Sequence, residues 1–146
     1  MERLTIHSEG EMSALGQALA GELHAGDVIA MTGNLGAGKT ALTKSIARGL
    51  GITEMVTSPT FTILQEYRGR LPLYHFDVYR IEEEEEMFEL GYEDYFYGQG
   101  VCVVEWADRV KGLLPENTLH VEISYGAGPE ERLVRIWRKE AEACGC

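Results

Sequence analysis

The sequence predicts an α/β fold built on one sheet, partly parallel and partly antiparallel, and two observations carry that prediction. The first is the passage from Val28 to Leu50. There, a continuous apolar run over residues 28–31 gives way to a glycine-rich loop and then to a helical stripe of Leu42, Ile46 and Leu50. An unbroken apolar run of that length fits a strand buried on both faces. The second is the order of elements: strands joined by helices come first, and hairpin signals follow.

The elements follow in chain order. Residues 4–6 form a short apolar strand. Ser8 with Glu11 is a capping-box pattern, opening a helix with Met12, Leu15 and Leu19 on one face. Gly26-Asp27 is a turn ahead of the strand at 28–31, and Gly51 stops the helix that follows the loop. Residues 61–67 and 71–76 are strands around the turn Arg68-Gly69-Arg70. The acidic stretch from Glu82 to Leu90 is expected to be helical. Residues 101–104 are a second buried strand, and 107–114 a short helix or turn ended by Pro115. Residues 119–124 and 133–137 pair as a hairpin around Gly126 and Gly128. Residues 1–138 are expected to be one domain, and 139–146 a flexible tail.

Composition bounds the function. The chain has 146 residues, enough for one sizeable core without a disulfide or metal staple. It holds no apolar run near the ~18 residues of a membrane span. Met1-Glu2-Arg3-Leu4 lacks the basic-then-apolar layout of a secretory signal, so a cytoplasmic location is expected. Net charge is −11, which repels free nucleic acid and leaves any role near RNA dependent on a partner or a local basic patch. Three cysteines, an odd count, argue against a disulfide framework. Cys144 and Cys146 lie at the end of the chain with no further ligand at metal spacing.

Chemistry concentrates in Gly33-Asn34-Leu35-Gly36-Ala37-Gly38-Lys39-Thr40, a match to G-x-x-x-x-G-K-[ST]. Glycines let backbone N–H groups turn inward around phosphate oxygens. The following helix presents its donors and its positive dipole end to the same anion. Lys39 neutralises the β- and γ-phosphates, and the Thr40 hydroxyl is a hard oxygen suited to magnesium. The pattern lies between a strand and a helix, where such a loop works, so a P-loop NTPase fold binding ATP with Mg²⁺ is expected.

Hydrolysis also requires a carboxylate near the metal and a group that positions water. Asp77 and Glu105 each end an apolar strand, at the carboxyl edge that borders the ligand crevice in α/β sheets. The residues leave open which of the two is nearer the metal. Thr57-Ser58-Pro59-Thr60-Phe61 is a stiff loop in which Thr60 could reach the γ-phosphate or its metal. His75 lies two residues before Asp77, on the same side of the strand, as support for the site or as a structural histidine. Trp106 is read as core packing ahead of base stacking, and Glu82 to Glu86 as a solvated face or a dock for a basic partner.

Taken together, these residues resemble the TsaE family, formerly YjeE, the bacterial ATPases required for threonylcarbamoyladenosine formation on tRNA. The resemblance spans about Ser8 to about Trp137. It rests on Gly33 to Thr40, Ser58-Pro59-Thr60-Phe61, His75-Phe76-Asp77-Val78-Tyr79-Arg80, Glu89-Leu90-Gly91 and Glu105-Trp106. It implies a P-loop fold with a mixed sheet, ATP and magnesium as cofactors, and slow hydrolysis. It also implies two partners, TsaD and TsaB, with tRNA reached only through their complex. By the family motif Lys39 contacts phosphate, Thr40 with Glu105 holds magnesium, and Asp77 is needed for hydrolysis. Thr60 falls in a switch-like loop, and Trp106 lies beside the nucleotide. The chain departs from the family at Met12, where many relatives carry threonine.

Two rivals share the loop. A small-molecule kinase would need an acceptor pocket and an arginine-bearing lid, and few residues remain to build them. A nonenzymatic nucleotide sensor would use ATP only to order residues 57–61 for a partner.

Overall fold

The computed structural model describes residues 2–34, 36–57 and 63–138. Two apolar clusters sit on opposite sides of a seven-stranded sheet formed among these residues. The strands are β1 (Glu2–Ile6), β2 (Val28–Gly33), β3 (Leu64–Tyr67), β4 (Leu73–Asp77), β5 (Val101–Glu105), β6 (Leu119–Tyr125) and β7 (Arg132–Arg138). Their order is β1-β7-β6-β2-β5-β4-β3. The central strands β6, β2, β5 and β4 run parallel, and β1, β7 and β3 join antiparallel at the edges. The sheet is therefore mixed, as the order of helices and hairpins implies.

The unbroken apolar runs of β2 and β5 follow from burial on both faces. Ile29 and Met31 of β2 and Val101 and Val103 of β5 face one cluster, whereas Val28, Ala30, Cys102 and Val104 face the other. β6 lies toward the edge and alternates instead: Leu119, Val121 and Ile123 are buried, and His120, Glu122 and Ser124 are half-buried.

Helices α1 (Glu9–Gly21) and α2 (Lys39–Gly49) cover the first face. Ser8 caps α1, its Oγ accepting from Glu11 N at 3.2 Å. Glu11 reaches past Ser8 and accepts from His7 N at 2.7 Å, so the box closes one residue further back than the motif implies. The helices approach closely where a Cβ on Gly16 would lie 2.3 Å from Ser45 Cβ. Short helices α3 (Glu85–Leu90) and α4 (Tyr92–Phe96), with a 3₁₀ segment Ala107–Leu113, cover the other face.

Two element expectations are corrected. The acidic helix begins at Glu85, because Glu86 Oε2 accepts from the backbone N–H groups of Glu82 and Glu83 at 3.0 and 3.3 Å. That carboxylate satisfies the N–H groups of the turn in front of the helix. The strand expected from residue 61 is described from Leu64, and 61 and 62 lie outside the described residues. The tail 139–146, with Cys144 and Cys146, lies outside them as well.

Candidate nucleotide site

Three adjacent parallel strands end at one edge of the sheet. β2 leads into the glycine loop, β5 ends at Glu105 and β4 at Asp77, with Met31 and Asp77 the Cα partners of Glu105 on either side. Parallel register thus brings the loop and both acids together, although Asp77 and Glu105 are far apart in the chain.

The loop needs its glycines. Gly33, Gly36 and Gly38 adopt φ of 127°, 77° and 120°, a region that L side chains rarely enter. At Gly33 space also forbids a side chain, since a Cβ would fall 1.8 Å from the carbonyl oxygen of Ile123. Asn34 anchors the loop to β6: its N–H donates to Ile123 O at 3.2 Å, and its Oδ1 accepts from Tyr125 N at 3.2 Å. Ala37 N–H donates back to Asn34 O at 3.2 Å. Leu35 lies outside the described residues.

Lys39 opens α2 and turns into the loop. Its Nζ donates to Gly33 O at 3.1 Å and Asn34 O at 2.8 Å, and lies 4.1 Å from the centre of the Trp106 ring. Only 4% of Lys39 is exposed. Burial pushes its ammonium below the ordinary lysine range, while the carboxylates of Glu105, Asp108 and Asp77 pull it back up. Trp106 is half-buried beside the loop, where it packs on the core and also touches Lys39 and Tyr79. It is the one non-glycine residue with positive φ among the described residues, at 64°. That conformation is a genuine outlier for a bulky side chain, and such strain clusters at functional sites.

Glu105 is 3% exposed and held from several sides. The Thr40 hydroxyl contacts its two oxygens at 3.2 and 3.3 Å, and His75 Nε2 lies 2.6 Å from Oε2; Thr43 Oγ1 stands 3.5 Å from Oε2 but donates to Lys39 O at 2.9 Å. A carboxylate so buried is tolerable only with such donors. Asp77 accepts from Tyr79 N at 3.1 Å. Burial raises its carboxyl above the ordinary range; Glu105 adds to that rise, and the Tyr79 N–H opposes it.

Two hollows meet here. One, of about 300 Å³, is lined by Lys39, Thr40, Asp77, Glu105 and Trp106. The other, a groove of about 490 Å³, runs past Ser8, Met12, Lys44, Arg48 and Arg132. They share Gly36, Gly38, Thr40 and Ala41, so one cleft crosses the start of α2.

The family model described as "Threonylcarbamoyl adenosine biosynthesis protein TsaE" matches residues 6–134. The chain belongs to the TsaE family. A protein of Bacillus subtilis (strain 168) described as "tRNA threonylcarbamoyladenosine biosynthesis protein TsaE" is 51% identical over 129 residues, covering 88% of this chain and 79% of its own length. A protein of Treponema pallidum (strain Nichols) with the same description is 45% identical over 121 residues, covering 83% and 90%. A solved structure described as "Crystal structure of Bacillus subtilus YdiB" superposes with a TM-score of 0.82 at 41% identity, over 97% of this chain and 87% of that one. The fold is that of P-loop NTPases, and the family with this fold implies nucleotide binding.

Among the residues expected at a TsaE site, the structure gathers Gly33, Asn34, Gly36, Ala37, Gly38, Lys39, Thr40, Asp77, Glu105 and Trp106 around the cleft. Thr60 lies outside the described residues. Sequence reasoning missed Thr43 and Arg132. Thr43 stands one helical turn after Lys39 and was hidden as an ordinary helix residue. Arg132 starts β7, and its Nε donates to Ala37 O at 3.0 Å. No local pattern could reveal that contact, because sheet order alone creates it. Among the described residues no helix is long and apolar enough to cross a membrane.

Proposed function

We propose that this chain is a magnesium-dependent ATPase subunit of tRNA threonylcarbamoyladenosine formation, slow alone and acting with TsaD and TsaB. The observation that carries the nucleotide part is the convergence of Lys39, Thr40, Asp77 and Glu105 on one hollow at the start of α2. The pathway part is supported by the relatives' descriptions.

The triphosphate would lie in the smaller hollow, with Lys39 leaving the loop carbonyls for β- and γ-oxygens. N–H groups at the start of α2 would face the same charge. The nucleoside would extend into the larger groove, past Met12 on α1 and Arg132 on β7. The donor set suits magnesium. Thr40 and Glu105 supply hard oxygens, and no cluster of three or more His, Cys, Asp or Glu ligands occurs among the described residues. Magnesium bound through one or two protein oxygens plus phosphate needs no such cage. When bound, the ion would neutralise charge developing on the transferred phosphoryl group. Asp77, at the same strand edge, would orient the attacking water, and Thr60 would serve as the nucleotide-sensing residue of its loop.

Calorimetric titration with a nonhydrolysable ATP analogue, with and without Mg²⁺, tests this reading. Tighter binding with the metal is expected. Glu105→Gln should shrink that gain about tenfold, since an amide is a poorer ligand for a hard cation. Metal-independent binding, or an unchanged gain in the variant, contradicts the assignment.

A further inference from the structure

We propose that His75 is a positioning residue for the metal carboxylate. Through Nε2 it holds Glu105 so that Oε1 is presented, beside Thr40, to the magnesium of a bound nucleotide. The inference rests on the reading of Thr40 and Glu105 given above.

His75 sits in the middle of β4, two residues before Asp77 and fully buried. Its Cα partner on β5 is Val103, so Glu105 is its diagonal neighbour on the same face of the sheet. Among the described residues the ring makes one polar contact, from Nε2 to Glu105 Oε2 at 2.6 Å, and its buried Nδ1 meets no partner there. Orphaned nitrogens of that kind are rare. An apolar side chain would fill the place without one, so the bond to Glu105 is what the imidazole contributes. It also fixes the tautomer, because a carboxylate accepts only from a nitrogen that carries hydrogen.

The contacts divide the carboxylate unequally. Oε2 receives His75 as well as Thr40, whereas Oε1 receives Thr40 alone among the described residues. His75 therefore pins Oε2, and Oε1 is left beside Thr40; the Thr43 hydroxyl spends its hydrogen on Lys39 O at 2.9 Å. Groups that hold a ligand carboxylate in this way contribute to metal affinity without touching the metal.

Two substitutions of similar size separate the roles. The amide nitrogen of His75→Gln reaches the place of Nε2, whereas that of His75→Asn reaches only the place of Nδ1. Each protein is titrated calorimetrically with a nonhydrolysable ATP analogue in EDTA and in Mg²⁺, and its melting temperature is recorded. His75→Asn is expected to lose ~10–100-fold of the magnesium-dependent gain, with its EDTA affinity within about twofold of wild type, and His75→Gln to recover most of the gain. Equal gains in all three proteins, or equal losses in EDTA and Mg²⁺, overturn the proposal. Absence of any gain in wild type overturns the metal reading itself and this inference with it. Nitrogen-15 spectra of the wild-type imidazole keep the test open should the variants not fold. The His75 Nε2 resonance is expected to shift when Mg²⁺ joins bound nucleotide and to hold still when nucleotide binds in EDTA. No response to the metal overturns the proposal.

Discussion

Among the described residues, Lys39 carries a buried positive charge met by two loop carbonyls and the Trp106 face. Those partners are poor substitutes for phosphate, so the side chain is held ready to exchange them. Lys39→Ala should weaken ATP binding about 100-fold, about 2.7 kcal/mol, while circular dichroism and melting stay near wild type. Unchanged affinity in a folded variant contradicts the assignment. Asp77 makes a second prediction, with opposite signs for stability and turnover. Its carboxyl is raised by burial, so ionisation is disfavoured in the fold relative to the unfolded chain. The cost is absent below the unfolded pKa and grows as pH rises through the folded one. Asp77→Asn keeps an Oδ1 acceptor for Tyr79 N, so it should melt above wild type at neutral pH and equal it in acid. Its turnover should fall on the order of 100-fold while nucleotide affinity holds. In wild type, turnover should decline with falling pH at a value above the ordinary carboxylate range. Melting scans and pH–rate profiles of both proteins check the pair.

At the scale of elements, the β6–β7 hairpin belongs to the site. Asn34 bonds to Tyr125 at the end of β6, and Arg132 at the start of β7 bonds to Ala37, so the hairpin clamps the phosphate loop from both its strands. The Arg132 guanidinium also donates through Nη1 to Pro129 O and Glu131 O at 3.0 and 2.9 Å, tying the hairpin turn to the loop. Arg132→Ala should accelerate nucleotide release several-fold, and Arg132→Lys should not rescue it, since a point donor cannot span those carbonyls. Stopped-flow displacement of a fluorescent nucleotide measures both, and a wild-type rate in Arg132→Ala contradicts the clamp. The glycine loop was legible in the sequence because its eight residues are contiguous and its backbone demands are local. β2 and β5 were legible because burial on both faces leaves an unbroken apolar run. Arg132 was not, since its contact depends on β7 lying beside β6 and β6 beside β2. The His75–Glu105 bond was hidden for the same reason, each partner lying on a different strand. α4 was missed because Tyr92–Phe96 is too short to show a helical period. The start of α3 was misplaced because the turn ahead of it is held by the Glu86 carboxylate on the N–H groups of Glu82 and Glu83, a side-chain contact that the acidic run does not announce.

At the scale of the whole molecule, charge and cleft together argue for work through a complex. A net charge of −11 opposes binding of free tRNA at physiological salt. Fast phosphoryl transfer draws on positive charge at the transition state, often an arginine supplied by a partner. Arg80, the arginine nearest Asp77 in sequence, is exposed, and Arg132 lies along the nucleoside groove. The surface near the cleft suits a partner: Tyr79 is 47% exposed and packs on Trp106, which covers Lys39. Exposed Phe88 follows the acidic turn on α3. We propose that slow turnover by this chain alone goes with engagement by TsaD and TsaB. The ATPase rate of this chain alone and with the TsaD–TsaB pair decides the matter, with binding followed by calorimetry in the presence and absence of ATP. Slow turnover alone, a higher rate with the pair, and an affinity that depends on nucleotide are expected. No association in any nucleotide state, together with a rate indifferent to the pair, would contradict the proposal.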